Sequence, residues 1–334
     1  HPFYLHFILP SFFIVNNIHI RELKNIPGFF AEPSPGNLYR PLRSVFYAIN
    51  YKIWHLNVFG YHLNSIILHF LVTILIFFIT LKITDKTMFS FIASLFFASH
   101  PIHTDRVANM TASFDIYGIL FMLSALFFYI LFFKDNKNKK IYYYILSVAF
   151  YLLAVFSSEE AITLILILLL YDFSFNYKIN LNNLKLLLKK YIPYIAVTIF
   201  YLIIRFMVLQ QIGREKSYFY QSFFGTLMTT LKVFINYIIL LFFPFNLAIE
   251  HSVKFETSLF SFSFLISLFA LLLLFFFFIK SYKKSKLLFF SIGWFFITLL
   301  PFSNIFPQIS IMAERYLYLP SYGFSLFLAF VIFK

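Results

Sequence analysis

The chain has 334 residues, 61% of them hydrophobic, 23% aromatic and 12% charged, with a mean hydropathy of +0.83. Soluble globular domains run at about 45–50% apolar and about 25% charged residues, and disordered chains combine low hydrophobicity with high charge, so both classes are excluded. No cysteine is present, which removes disulfide and thiolate chemistry, and the net charge of +14 must be read as loop charge in a membrane protein rather than as a nucleic-acid footprint.

A spanning helix needs about 20 apolar residues. In chain order, residues 1–57 are amphipathic and turn-rich and are predicted to form an extracytoplasmic loop with interfacial helices. Glu32-Pro33-Ser34-Pro35-Gly36-Asn37 is a turn cluster, and Pro41 suits the first turn of a helix running to about Trp54. The apolar runs 58–81, 87–99, 115–133, 141–156, 161–173, 191–209, 257–279, 286–302 and 316–333 follow. Of these, 87–99 and 161–173 are short and span only when packed inside a bundle. The alternating ten-residue segments of a β-barrel are missing. The fold class is therefore all-α, a polytopic transmembrane helical bundle of about 9–10 spans over residues 58–334. Its outer loops are 100–114, 157–160, 210–256 and 303–315. The 53 Phe accompany abundant Ile, Asn and Lys, as an AT-rich coding bias produces, and read as generic lipid-facing or core residues. No signal-peptide pattern is seen, and the expectation is an excerpt of a longer protein.

Basic residues in short loops mark the cytoplasmic side. Lys82 and Lys86, then Lys134, Lys137, Lys139 and Lys140, then Lys178, Lys185, Lys189 and Lys190, then Lys280, Lys283, Lys284 and Lys286 fill four such loops. Placing them inside puts residues 1–57 outside. It also requires 222–256 to stay extracytoplasmic, at the interface or re-entrant, because Lys232 interrupts its apolar stretch. A tenth span there is the alternative. Every acid except Asp85, Asp135 and Asp172 then falls on the outer side, a bias that orientation does not explain. An integral membrane protein with an extracytoplasmic (or ER-lumenal) active face is the expectation.

The outer segments carry the motifs. Arg40 and Arg43 either snorkel to headgroups or meet phosphate. His100, His103 and Asp105 have the donor types a divalent metal uses. Pro101 takes the pair off a regular helical face, so a loop for an anionic ligand is preferred and no metal or other cofactor is expected. Ser157 or Ser158 can cap the next helix, and Glu159 and Glu160 suit its N-terminus, although capping accounts for only one of the two acids. Glu314 and Arg315 open the last helix as an ion pair or as a phosphate-facing arginine, and Gly323 permits close helix approach. Asp115 starts its own helix. No nucleophile elbow, Walker loop or GxGxxG is present.

In order, Tyr39-Arg40-Pro41-Leu42, Phe59-Gly60-Tyr61-His62-Leu63-Asn64 with His69, His100-Pro101-Ile102-His103-Thr104-Asp105, Ser157-Ser158-Glu159, Pro301-Phe302-Ser303-Asn304 and Ala313-Glu314-Arg315-Tyr316-Leu317-Tyr318-Leu319-Pro320-Ser321 resemble the membrane part of the transmembrane-and-tetratricopeptide-repeat O-mannosyltransferases and their prokaryotic relatives, within the GT-C glycosyltransferases. The resemblance covers most of 16–334. It implies inverting transfer of a sugar, mannose among the candidates, from a polyprenyl-phosphate donor to a polypeptide Ser/Thr or lipid-linked acceptor. Asp105 or Glu159 would be the acceptor-side carboxylate, and Arg40, His103 and Arg315 the donor-phosphate contacts. His100, Asp115, Glu160 and Glu314 would support them. The implied partners are the polyprenyl-phosphate sugar, the acceptor and the bilayer, with no nucleic acid.

Two departures stand out. Relatives carry an acidic pair before the segment matched by Ile14-Val15-Asn16-Asn17, where this chain reads Leu9-Pro10. The middle residue of their Ser-Lys-Glu pattern is Ser158 here. A catalytically degenerate member or a non-enzymatic lipid or solute transporter are the competing readings. A transporter needs charge at the bilayer midplane and an internal repeat, and neither is visible.

Overall fold

The computed structural model describes residues 11–134, 140–211 and 217–334. Leu9, Pro10, Asp135, Lys137, Lys139 and Glu215, on which some of the expectations above rest, lie outside the described residues. The regular structure of the described residues is helical, with two isolated β-bridges. The α-helices of eight residues or more among the described residues are α1 (Pro41–Trp54), α2 (Val58–Thr84), α3 (Thr87–Ser99), α4 (Asp115–Lys134), α5 (Lys140–Ser157), α6 (Leu164–Tyr171), α7 (Leu181–Leu209), α8 (Phe223–Phe242), α9 (Phe262–Lys284), α10 (Lys286–Leu299) and α11 (Pro320–Ile332). Among the described residues, six segments are long and apolar enough to cross a membrane: α2, Met110–Lys134, α5, α7, α8 and α9. Three apolar helical segments, Thr87–Ser99, Lys286–Phe302 and Pro320–Ile332, are shorter. The protein is thus an all-α polytopic bundle.

Polar residues set the helix ends. Asn57 accepts from the Phe59 N–H at 3.1 Å to start α2, Ser222 accepts from Gly225 to start α8, and Ser261 and Ser285 do the same for α9 and α10. Two expectations change. Helix α7 begins at Leu181, so Lys185, Lys189 and Lys190 lie on its first turns rather than in a loop. Segment 223–242 is one unbroken 20-residue helix that meets the length and apolarity of a span. The Lys232 that argued against this is bonded to the Glu256 carboxylate at 2.9 Å, so it does not enter the helix face as a bare charge.

The chain divides into two compact units. The first holds His1–Asp85, Arg106–Ile165 and Leu188–Gln210. Here α4 packs closely on α5 and on α2. A polar relay ties α7 to α5 and α4: the Tyr194 hydroxyl donates to Ser147 Oγ at 2.7 Å, which donates to the Ala125 carbonyl at 2.6 Å, the kind of hydrogen-bond glue that replaces hydrophobic drive within lipid. Before α1, the 32–37 cluster forms a turn closed by mutual backbone bonds between Ser34 and Leu38, with Gly36 at φ +80°. Ile14, Ile20, Tyr47, Tyr61 and Phe114 form the core beneath it.

The second unit holds Lys86–Asp105, Leu166–Leu187 and Gln211–Lys334. Helix α11 packs on α10 and α3. Gly323 provides the close approach expected of it: a Cβ there would lie 2.6 Å from the Ser291 carbonyl oxygen, and Ser291 Oγ donates to the Gly323 carbonyl at 2.6 Å. Helix α9 is the most outward-facing, with only 11% of its apolar window buried.

Candidate functional site

Each unit gathers a charged cluster. In the first unit, Arg40 sits just before Pro41 of α1, Asp115 opens α4, Glu159 and Glu160 form the first turn of the Glu159–Thr163 3₁₀ helix after α5, and Arg205 comes from α7. Asp115 accepts from Arg40 at 2.6 Å and Arg43 at 3.0 Å, with Arg106 at 3.6 Å. Glu159 accepts from Arg40 Nε at 2.8 Å and has Arg205 at 4.0 Å. Glu160 accepts from Arg106 at 2.6 Å. All are buried except Glu159, whose side chain keeps 17% exposure. Burial opposes the charge on Arg40, but Asp115 and Glu159 outweigh it and raise its pKa. Arg106 behaves alike, with Glu160 the main support of its charge. Acids at helix starts also face the positive end of the macrodipole.

The expected serine cap does not form. Ser158 occupies the cap position without a side-chain cap bond, and Ser157 Oγ donates back to the Leu153 carbonyl at 2.8 Å. The backbone is held instead by close packing: a Cβ at Gly118 would lie 2.7 Å from Ser158 Cβ. That proximity leaves Ser158 Oγ buried with no hydrogen-bond partner.

In the second unit the motifs meet around the Glu314–Leu317 turn. Asp105 accepts the Arg315 backbone N–H at 3.1 Å and lies 3.6 Å from its guanidinium. Arg315 reaches the Glu250 carboxylate and Ser310 Oγ, each at 3.1 Å, and the Ile249 carbonyl at 3.3 Å. Ser310 also donates to Glu250. Glu314 turns the other way, accepting the Ala248 N–H at 2.5 Å and facing His251 Nε2 at 2.9 Å. The adjacent Glu-Arg is therefore a clamp on residues 248–251 rather than a mutual ion pair. Burial opposes the charge on Arg315, but Tyr316 and Glu250 hold its pKa up. The hydrogen bonds from Ser310 and Arg315 overcome partial burial and lower that of Glu250.

The two histidines are spoken for differently. His100 Nδ1 accepts the Ile102 N–H at 3.2 Å, which leaves Nε2 to donate to the Leu241 carbonyl at 2.9 Å. Burial lowers its pKa, favouring that neutral form. His103 packs on Phe97 and Tyr318 and lies 3.3 Å from Ser321 Oγ. Among the described residues, no group of three His, Asp or Glu side chains is placed to hold a metal ion.

The chain is similar to a protein O-mannosyl-transferase of Caenorhabditis elegans. The two are 27% identical over 309 residues, which is 89% of this chain and 42% of that protein. The chain thus spans less than half the length of this relative. The similarity supports a glycosyltransferase relationship. No family model matches the chain, and no solved structure matches it significantly.

Of the residues singled out in the sequence, Arg40, Asp115, Glu159 and Glu160 come together in the first unit, and Asp105, Glu314 and Arg315 around one turn of the second. Sequence reasoning missed Arg106, Arg205, Lys232, Glu250, His251 and Glu256 as participants. Arg205 carried a usable signal, being the one charge in the apolar half of α7. Lys232 stood out as the one charge on α8, and the others sit in loops or beside a motif, with no spacing to mark them.

Proposed function

We propose that this chain belongs to a glycosyltransferase that moves a sugar from a polyprenyl-phosphate donor to an acceptor hydroxyl, with inversion, on the extracytoplasmic face. The acceptor oxygen attacks the anomeric carbon, the bond from that carbon to the phosphate oxygen breaks, a carboxylate takes the acceptor proton, and the lipid phosphate leaves with its electron pair. Asp105 or Glu159 is the carboxylate. The candidates for the phosphate contact are Arg40 of the first unit and, in the second, His103 and Arg315. The observation carrying this reading is the similarity to an O-mannosyl-transferase across 309 residues, a stretch long enough to include most of the charged motifs. A protein Ser/Thr hydroxyl is the acceptor the reading favours, and mannose the sugar.

The test is sugar transfer from a radiolabelled polyprenyl-phosphate mannose by the purified, membrane-reconstituted protein. Losing the base lowers the rate by about 10²–10⁴-fold, so Asp105→Asn or Glu159→Gln is expected to fall by that factor while its thermal unfolding stays cooperative. Full transfer in both variants refutes the assignment of the base. Absence of transfer in the wild type with any polyprenyl-phosphate sugar refutes the activity.

A further inference from the structure

Length and apolarity admit α8 as a span, but the path of the chain after it points elsewhere. The first turns of α8 lie beside the start of α9. The Glu256 N–H donates to Thr229 Oγ1 at 2.9 Å, while the Glu256 carboxylate accepts from Ser261 and Ser263 at the head of α9, each at 2.5 Å. A Cβ at Gly225 would lie 2.5 Å from the Phe255 ring. At the far end of α8, Phe242 shares an apolar cleft with Leu274 and Phe277 of α9. The two helices are therefore parallel neighbours. For both to cross a bilayer, residues 243–261 would have to cross between them, and that stretch holds no helix. Irregular backbone does not cross in contact with lipid.

Helix α8 also stops short. Beyond the level of Phe277, α9 runs on through the seven residues from Phe278 to Lys284, about 10 Å at about 1.5 Å per residue, to reach its basic end. The turn that closes α8 reads Phe242-Phe243-Pro244-Phe245, and the three phenylalanines are 47%, 62% and 71% exposed. Turns in water favour Gly, Asn, Asp and Ser beside Pro, so three exposed rings at a turn suit hydrocarbon. The backbone there is served as lipid demands. The Phe243 N–H donates to the Ile239 carbonyl and the Phe245 N–H to the Phe243 carbonyl, each at 2.8 Å, and Pro244 has no N–H. The Leu241 carbonyl, one of the last four of the helix, accepts from His100 Nε2 at 2.9 Å. The returning limb is then fastened by Glu314 at Ala248, by Arg315 at Ile249, and by the His251 N–H donating to the Met312 carbonyl at 3.1 Å. Exposed polar residues reappear at Ser252 and Lys254. There the limb has come level with Lys232, ten residues back from Phe242, about 15 Å along the helix.

We propose that α8 and residues 243–261 form a re-entrant hairpin. The helix enters from one face of the membrane, the chain turns at 242–245 inside the hydrocarbon and returns to the same face, and α9 alone crosses. His100 caps the buried tip, and Glu314 and Arg315 fasten the returning limb. Between the limbs lies a cavity of about 340 Å³ lined in part by Lys232, Asn236, His251 and Ser252. It has the polar groups that hold water, and non-helical backbone is tolerated at membrane depth where it lines such a space. The hairpin also gives the number of crossings needed to put the lysines of 280–286 on the cytoplasmic side. It stands apart from the transfer reaction proposed above.

The chain has no cysteine, so a single introduced thiol reports its own position. The test labels the full chain in sealed membrane vesicles of known orientation with a membrane-impermeant maleimide. The positions are Tyr220→Cys, Phe243→Cys, Ser252→Cys, Phe260→Cys and Lys283→Cys, all at exposed side chains, so packing is left intact. Tyr220→Cys, Ser252→Cys and Phe260→Cys are expected to react from one side and Lys283→Cys from the other. Phe243→Cys is expected to react about tenfold or more slowly than Ser252→Cys, because apolar surroundings disfavour the thiolate that reacts. Reaction of Tyr220→Cys and Phe260→Cys from opposite sides overturns the hairpin, and so does Phe243→Cys reacting as fast as Lys283→Cys and from its side. In the Phe243→Cys background, His100→Ala strands the Leu241 carbonyl and is expected to speed labelling about tenfold, while His100→Gln keeps a donor and holds the rate down. Equal rates in the two overturn the cap. The labelling is read without any sugar transfer, so failure of the hairpin leaves the proposed reaction untouched, and an inactive protein leaves the hairpin untouched.

Discussion

The two charged clusters use the same side chains to opposite ends. In the first unit, arginines and carboxylates spend their charge on one another: Asp115 has three arginine neighbours, and Arg40 bridges two acids. In the second, Asp105 and Glu314 each take a backbone N–H, from Arg315 and Ala248, and so fix the path of a loop. The contrast teaches that the first cluster is a scaffold whose geometry depends on every member, while the second is a clamp whose loss is felt locally. The second cluster pairs its cations as well, Arg315 with Glu250 and His251 with Glu314, so what sets it apart is its hold on backbone.

Substitutions should separate the two behaviours. Arg40→Ala leaves Asp115 and Glu159 short of a buried partner, and breaking such a pair from one side costs about 3–5 kcal/mol. The expected result is a large fall in thermal stability of the whole protein, and a loss comparable to an ordinary surface substitution would break the scaffold reading. Glu314→Ala strands the Ala248 N–H and His251, at about 1–3 kcal/mol. Its signature is local, namely faster proteolysis within 243–260 with little change in global unfolding. If global unfolding shifts as much as in Arg40→Ala, the distinction between scaffold and clamp fails.

Acid titration sharpens the same comparison. Glu256 accepts from Lys232, Ser261 and Ser263, and those hydrogen bonds hold its carboxyl down at about 2, against an ordinary value of 4.5. A depressed carboxyl contributes stability that is present above its unfolded pKa and lost as pH falls through its folded one. The contribution is therefore complete above about 4.5 and vanishes on approach to pH 2. Measured by unfolding across that window, Glu256→Gln should show a shallower acid dependence than the wild type. The smallest effect is expected at Ser158. Its hydroxyl is buried and unpartnered, so Ser158→Ala should change stability by no more than about 0.5 kcal/mol, whereas a true helix cap would cost about 1 kcal/mol.

Much of the fold was legible because it is written in local terms. Runs of apolar residues of the right length, Pro41 at the start of α1, and Gly323 each act within a few residues of themselves. The site was legible only as a set of suspects. Asp105 and Arg315 are 210 residues apart in sequence, and nothing in either motif says that the acid will take the backbone N–H of that arginine. Lys232 misled for a related reason: read alone it argues against a membrane-length helix, and its neutralising partner Glu256 lies beyond the end of that helix. The serines before Glu159 have the right identity for a cap, yet packing of α4 at Gly118 decides their role.

The outward face of α9 has a consequence for how this sequence can change. Phe269, Phe275, Phe276 and Phe277 project from a helix of which little is buried, and a neighbour made of fluid hydrocarbon checks hydropathy without checking shape. Such positions can drift freely among Phe, Leu and Ile, so that base composition, rather than fit, picks the residue. The helix will be the part of the chain least recognisable in any distant cousin and among the least sensitive to which cousin donates it, and a chimera that swaps α9 for another apolar segment of equal length should keep the remainder intact.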